Sequence, residues 1–192
     1  MTMPTQTTTP RRLPRYRRAQ REVNLALTPR DLEILAPVES FRLATSAHIA
    51  SLTRGSNQGI LRRLQKVYHA GFLDRLRPDR TSDGGSAKMV YAVTNKGIRE
   101  LQKRGFVKEP TKTDWNYKNR SLDTLYMRHT LLIAHIRAVL TAACASHPDL
   151  QLLFWKEGRE THDTIEVALD RGYAAVPVAP DAFFALQDAK GR

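Results

Sequence analysis

The chain has 192 residues, of which 31 are Lys or Arg and 19 are Asp or Glu, so its formal net charge is +12. This length can bury one sizeable core or two small ones, and the 41% hydrophobic content is typical of a folded protein. Because Cys144 is the single cysteine, the composition excludes a disulfide scaffold and a cysteine-rich zinc module. No uninterrupted apolar run reaches the ~18 residues of a membrane span, so we expect a cytoplasmic protein with no membrane partner.

The excess positive charge lies entirely in the first 110 residues. Residues 1–30 have a net charge of +6, residues 31–110 have another +6, and residues 111–192 are neutral. Binding to DNA phosphates requires clustered Lys and Arg, so this asymmetry predicts a nucleic-acid-binding N-terminal half. A charged surface that serves only solubility is the alternative interpretation.

Residues 1–27 predict a flexible basic arm. They are rich in Thr, Pro, Gln and Arg and lack an apolar period. Such an arm can condense on phosphates or enter a minor groove, and the alternative is a disordered leader without a role. The candidate DNA-binding residues of the arm are Arg11, Arg12, Arg15, Arg17 and Arg18.

Residues 28–105 predict a winged helix-turn-helix domain. Thr28-Pro29 is a good helix start, and Pro37 should kink or end that helix before about Leu43. Gly55 lies in the expected turn between the second and third helices. The remaining predicted elements are a short helix capped by Thr45 or Ser46, a helix over Asn57–Ala70, strands over Phe72–Arg77 and Met89–Val93, and a last helix over Asn95–Arg104.

The third helix is the predicted recognition element. Its apolar positions form one stripe that should face the core, namely Ile60, Leu61, Leu64, Val67 and Tyr68. The residues off that stripe can pair with base edges or phosphates, unless they only form a solvated face. These candidates are Asn57, Gln58, Arg62, Arg63 and Lys66, and the hairpin, or wing, adds Arg75, Arg77, Arg80 and Lys88.

Residues 106–121 predict a linker, and residues 122–192 predict an α/β domain that is incomplete at its C-terminus. We expect one helix over Leu122–Ala145 and two or three strands after it. The apolar run Leu150–Trp155 predicts a buried strand, Glu157–Asp163 a polar loop, and Val176–Leu186 a segment that contains another strand.

The second half offers weak candidates for catalysis. Asp181 at the start of a strand, with Glu157 upstream, resembles half of an acidic metal site of a nuclease, although Pro-Asp is more often simply the start of a strand. No metal-ligand motif is present, and His129 and His135 do not share a helix face. We expect His129 to be a capping or core histidine and Cys144 to contribute packing.

The chain resembles the replication-relaxation proteins of plasmids, phages and integrative elements over residues 28–192. The resemblance rests on Thr28-Pro29-Arg30-Asp31, on Arg62-Arg63-Leu64 through Gly71-Phe72-Leu73, and on Tyr91-Ala92-Val93-Thr94 with Gly97. Arg128-His129-Thr130-Leu131 and Pro180-Asp181-Ala182 complete it. The resemblance implies a winged helix joined to a restriction-endonuclease-like domain, and relatives that include conjugative relaxases. In this family an acidic strand normally follows the Pro-Asp strand, and this sequence stops in the predicted turn before it. We therefore expect either a truncated chain or a member that lacks this strand.

The sequence therefore predicts an α+β protein of a mobile element that binds duplex DNA in replication, mobilisation or transcriptional control. A sequence-specific binding protein is favoured over an enzyme, and no cofactor is expected. The alternatives are a relaxase-like nicking enzyme that would need Mg²⁺ or Mn²⁺, and an adaptor whose winged helix binds protein. Further candidate partners are a second copy of the chain and a replication or mobilisation protein.

Overall fold

A computed structural model of the chain describes residues 15–19, 23–78, 88–107 and 112–191. The fold is α+β, as predicted. The elements of the first half are α1 (Pro29–Ser40), β1 (Ala44–Thr45), α2 (Ser46–Leu52), α3 (Asn57–His69), β2 (Leu73–Leu76), β3 (Val90–Val93) and α4 (Asn95–Lys103). The second half has α5 (Trp115–Arg120), α6 (Thr124–Ser146), β4 (Leu150–Glu157), a 3-10 helix (Gly158–Thr161), β5 (Asp163–Leu169), β6 (Gly172–Val178) and β7 (Ala182–Asp188).

The first half has a three-stranded antiparallel sheet in the order β1-β3-β2. Leu73 pairs with Val93 in one ladder and Ala44 pairs with Tyr91 in the other, so β3 lies in the middle. All four residues of β3 are buried, because helices cover the sheet. The main core is formed by buried side chains of α1, α2, α3, α4 and the sheet, which include Ile34, Leu35, Ile49, Leu64, Val67 and Leu101.

Pro37 lies within α1 and does not end it. The helix ends at Ser40, three residues earlier than the predicted end near Leu43. Proline removes one backbone donor and crowds the preceding turn, at a cost of about 3 kcal/mol in a helix interior. Val38, fully buried directly after it, and Phe41, also buried, contribute packing that offsets this cost.

An ion pair joins the first turn of α1 to α3. Asp31 is fully buried, and the guanidinium of Arg63 donates to both of its carboxylate oxygens, through Nε at 2.8 Å and Nη2 at 2.5 Å. Arg63 Nη2 also donates to Thr28 Oγ1 at 2.7 Å, and the Thr28 amide donates to Asp31 Oδ2 at 2.8 Å. The two oxygens of the buried Asp31 carboxylate are thus bonded by Arg63 of α3 and by Thr28, the residue that caps α1.

The described part of the predicted arm packs against the first half. Val23, Leu25 and Leu27 contact the main core. Arg18 donates to the carbonyl oxygens of Tyr68 and Leu73 and pairs with Asp74 at 2.5 Å. Residues 15–19 and 23–27 are therefore attached to the fold, in contrast to the expectation of a free arm as far as residue 27.

The predicted linker contains α5 and is bonded to the first half. Asn119 is buried, and its amide group donates to the Val93 carbonyl at 2.8 Å and to Asp74 Oδ2 at 2.9 Å. Its Oδ1 accepts from Arg42 Nη1 at 2.8 Å. Because the amide of one residue satisfies three groups of the first half, α5 extends that half and does not behave as a spacer.

The second half has two two-stranded antiparallel sheets, β4-β7 and β5-β6, among the described residues. The prediction of a buried strand over Leu150–Trp155 is wrong, because Leu153 is 48% and Phe154 is 38% exposed. No layer covers that side of β4 in the part of the chain that the structure describes. The β5-β6 hairpin was missed, since the charged residues Glu166 and Asp170 and the strand residue Pro177 do not resemble a buried strand.

Helix α6 connects the two halves. It packs against α2 and β4, with Met127, Ala134 and Ala138 as its buried residues. By length and composition alone, its 23 residues can span a bilayer, although His135 and Arg137 interrupt its apolar sequence. Eleven per cent of its most apolar window is buried inside the protein, so much of its surface is open.

Substitution of Asp31 by Ala tests the ion pair. It leaves the Arg63 guanidinium, only 27% exposed, without its partner, and we expect a loss of about 3 kcal/mol in the free energy of unfolding. Urea denaturation measures it. The matched control is Glu33→Ala, which removes an exposed pair with Arg30 and should cost less than about 1 kcal/mol. Equal losses for the two variants would contradict a special role for Asp31.

The pH dependence of stability tests the junction of α2 and α6. His48 of α2 stacks on His135 of α6, with ring centroids 5.4 Å apart, and burial, followed by the charges of His135 and Lys88, lowers the pKa of His48 to about 4 from 6.5. The unfolded chain therefore binds this proton more tightly than the folded protein. The contribution of the neutral His48 to stability is complete above about pH 6.5 and is lost as the pH falls towards about 4.

We expect His48→Gln to flatten the fall in unfolding free energy between about pH 7 and pH 5, measured by urea denaturation at each pH. The matched control, His147→Gln, changes an exposed histidine at the end of α6 and should keep the wild-type profile. An unchanged slope in His48→Gln would assign the pH dependence to other groups.

Candidate nucleic-acid interface

A basic groove of about 540 Å³ lies along the N-terminal half of α3. Ser56 caps this helix, its hydroxyl accepting from the Gly59 amide at 3.2 Å. Four basic side chains and no acidic one line the groove, which is formed by Arg30, Gly55, Ser56, Gly59, Ile60, Arg62, Arg63, Gln65 and Lys66. The groove therefore combines an exposed helix N-terminus with local positive charge, and both attract anions.

Position 55, in the turn that lines this groove, favours glycine for two reasons. Its φ of 109° lies in the left-handed region, which a residue with a side chain rarely adopts. A Cβ at this position would lie 2.7 Å from Arg30 Nη2. The positive φ is the stronger of the two constraints, because the end of the flexible Arg30 side chain could move away from a Cβ.

The predicted recognition residues divide into two groups. Arg63 points back to Asp31 and Thr28, so its guanidinium holds the fold together. Asn57, Gln58, Arg62 and Lys66 are exposed, as a DNA-reading face requires. Arg62 and Lys66 are four residues apart and lie on one side of the helix.

Leu61 is 48% exposed, so the prediction that it belongs to the core stripe is wrong. Tyr68 lies two turns later near the same edge of α3 and is buried, because the guanidinium groups of Arg18 and Arg75 cover its ring at 5.5 Å and 4.3 Å. That cover does not reach Leu61. The sequence could not show this, because the covering arginines come from outside the helix.

The basic residues of the β2-β3 hairpin are partly engaged. Arg75 lies over Tyr68 and Tyr91 and donates to the Arg15 carbonyl at 3.0 Å. Arg77 is exposed and lies 5.1 Å from the centroid of the Tyr16 ring. Lys88 is exposed at the start of β3, and Arg80 lies outside the described residues.

The arm residues extend the positive surface beside this hairpin. Arg15 and Arg17 are exposed, whereas Arg18 is bonded to the fold. The Ala19 amide donates to His69 Nδ1 at 3.1 Å, which attaches the segment to the end of α3. Arg11 and Arg12 lie outside the described residues.

A second pocket, of about 290 Å³, brings together the weak catalytic candidates. His129 Nε2 lies 3.1 Å from Asp181 Oδ1, and Glu157 lines the same pocket. Arg137 Nη1 approaches Glu157 Oε1 at 3.7 Å. His129 is 46% exposed, so the expectation of a core or capping histidine is wrong. His129 is exposed because its partner, Asp181, lies directly before β7 at the end of the sheet.

Sequence reasoning did not find the role of His129 or the presence of His162 in this pocket. His129 and His162 are 52 and 19 positions before Asp181. The packing of α6 on β4 and the pairing of β4 with β7 bring them together. The sequence signals that could have indicated this pocket were Pro180-Asp181 at the start of a strand and His129 near the N-terminus of a helix. Within the described ranges, no three His, Cys, Asp or Glu side chains are grouped to hold a metal ion.

The described structure defines an α+β protein with a basic groove on the first half and a histidine–aspartate pocket where the second half meets Phe41 and Arg42 of the first. The model of the replication-relaxation family matches residues 35–191, so it covers most of both halves. The chain belongs to the replication-relaxation family, which indicates a role in the replication of mobile elements. Neither a curated protein nor a solved structure gave a significant match.

Proposed function

We propose that the first half binds duplex DNA as a winged helix, with α3 in the major groove and the β2-β3 hairpin as the wing, during the replication of a mobile element. The observation that carries this proposal is the groove along α3, whose lining contains no acidic side chain and includes the exposed Arg62 and Lys66. The other two basic residues of the groove, Arg30 and Arg63, are paired with Glu33 and Asp31. DNA presents closely spaced phosphates, and the major groove admits an α-helix.

The order of elements supports this proposal. The helices α2 and α3 are joined by a short turn that contains Gly55, which is typical of a helix-turn-helix. The hairpin follows α3 directly and returns to the sheet beside β1. A protein that places its recognition helix and wing on neighbouring segments can contact two adjacent parts of a duplex.

The exposed residues of α3 have chemistry suited to different parts of DNA. Arg62 can bond a guanine edge or a phosphate, and Lys66 is suited to phosphate. Asn57, Gln58 and Gln65 carry amides, which can pair with adenine. Arg63 supports the interface by fixing α3 on α1 and is a positioning residue.

The salt dependence of binding tests this proposal. For a random-sequence duplex followed by fluorescence anisotropy, log affinity should fall linearly with log salt concentration. If Arg62 contacts a phosphate, Arg62→Ala should reduce that slope by about one. If it reads a base, the loss appears on a selected cognate duplex, at about 1–3 kcal/mol.

The matched control is Arg171→Ala, which removes one exposed positive charge from the β5-β6 turn. It should keep the wild-type slope. Affinity that does not depend on salt would overturn the proposal and favour an adaptor that binds protein. Equal effects of Arg62→Ala and Arg171→Ala would assign the salt dependence to net charge and not to α3.

The second candidate function is phosphodiester cleavage, which the contact between His129 and Asp181 favours. An imidazole held by a carboxylate is an arrangement used for general acid–base catalysis. The His129–Asp181 pair can transfer a proton to or from a reacting oxygen. The 66% exposure of Asp181 leaves the pocket accessible to a DNA strand.

Nicking of supercoiled plasmid tests this second function. We expect nicking, with Mg²⁺, Mn²⁺ or chelator present in parallel reactions, to be lost in His129→Ala and Asp181→Ala. The matched control Asp170→Ala removes an exposed carboxylate in the β5-β6 turn and should keep full activity. Equal nicking by the wild type and Asp181→Ala would exclude this pocket from cleavage, and it would leave the DNA-binding proposal unaffected.

A further inference from the structure

Helix α6 has an apolar stripe on the side that faces away from the first half. Met127, Ala134 and Ala138 are buried on the opposite side. The stripe consists of Leu125, Leu132, Ile136, Val139 and Ala143, of which the first four are 73%, 60%, 45% and 52% exposed. At about 100° per residue, these five positions fall within a sector about 60° wide. Neither charged residue of α6, Arg128 or Arg137, lies in that sector.

The stripe is self-complementary when two copies run antiparallel. Leu132 and Ile136 are equally distant from Ala134 along the helix, and so are Leu125 and Ala143. A two-fold axis at the level of Ala134 along the helix therefore places Leu132 opposite Ile136 twice at the centre, and it places Val139 opposite His129 on either side of them. It places a large Leu125 opposite a small Ala143 at each end. In a two-fold interface each contact occurs twice, so one helix supplies both halves of this pattern.

The charge of Arg128 favours the same direction. In an antiparallel pair the two Arg128 backbones lie about 18 Å apart along the axis, at 1.5 Å per residue. Each exposed Arg128 then lies level with Leu140 of the partner helix, six residues before that helix ends at Ser146. Because helical side chains lean towards their own N-terminus, Arg128 extends towards the partner's last turn, which contains no basic residue. A helix C-terminus carries partial negative charge and is stabilised by a cation. A parallel pair would place the two Arg128 side chains at the same level, far from the partner's C-terminus.

A second copy fits this stripe better than a bilayer does, although α6 is long enough for both. A membrane would surround the helix, and the other side of α6 already packs against α2 and β4. Arg137 also donates to the Ser40 carbonyl at 2.9 Å, which holds a charged residue near the helix centre in a protein contact. A dimer covers the exposed side and leaves these contacts in place.

We propose that the chain forms a two-fold symmetric dimer through the exposed stripe of α6, with the two helices antiparallel and centred at Ala134. The dimer does not depend on DNA binding. It would give one assembly two α3 grooves, which suits a site with two half-sites.

Sedimentation equilibrium measures the dimer dissociation constant of the full chain. We expect Leu132→Glu and Ile136→Glu each to raise that constant at least tenfold, because each variant buries two carboxylates against apolar side chains. The matched control Tyr173→Glu makes a similar change at a residue of β6 that is 78% exposed and should keep the wild-type constant. Circular dichroism melts verify that all variants are folded.

Mixed variants test the orientation. Leu132→Lys and Ile136→Glu should each weaken self-association, whereas their equimolar mixture should recover dimers. In the antiparallel arrangement the new lysine of one variant faces the new glutamate of the other, and the second pair keeps its native Ile and Leu. A parallel arrangement brings position 132 beside position 132, so no such pair forms and no recovery is expected.

Three results would overturn the proposal. The first is a wild-type chain that stays monomeric at micromolar concentrations. The second is a monomer that co-sediments with vesicles of equimolar phosphatidylcholine and phosphatidylglycerol, which would assign the stripe to a membrane. The third is a dimer that Tyr173→Glu weakens as much as the stripe variants do, or that the stripe variants leave intact.

Discussion

The bonding of Arg63 to the buried Asp31 is the constraint on which the first half depends. A carboxylate with no solvent exposure must be paired, and Arg63 bonds both of its oxygens while Thr28 bonds one of them again. The pair fixes the start of α1 relative to α3. The groove lies between these same two helices, so its shape follows from this contact.

The basic residues of the first half are of two kinds, those bonded within the fold and those exposed to solvent. Arg63 and Arg18 are bonded to acids of the fold, and the guanidinium of Arg75 lies on two tyrosine rings. Arg62 and Lys66 remain exposed on α3. The net charge of the chain therefore overstates the charge that is open to a polyanion. The exposed part includes Arg62 and Lys66 on α3 and Arg15, Arg17, Arg77 and Lys88 beside the hairpin.

Helix α6 has a comparable position in the second half. One side packs on α2 and β4, and its His135 stacks on His48, so the helix transmits contacts between the halves. The sheets around it have two strands each and leave large apolar side chains exposed. Two-stranded sheets are only marginally stable by themselves, so this half gains stability from surfaces that cover it.

The sequence by itself determined the α+β class, the family and, apart from β1, the elements of residues 28–105 to within a few residues, because strong periodicity, caps and glycines are local signals. It also predicted that Asn57, Gln58, Arg62 and Lys66 would be exposed. Only the tertiary structure decided that Arg63 binds Asp31, that Leu61 is exposed, that α5 belongs to the first half and that His129 meets Asp181. The physical reason is distance along the chain. Each of these outcomes depends on a partner many residues away, which helical or strand periodicity cannot reveal.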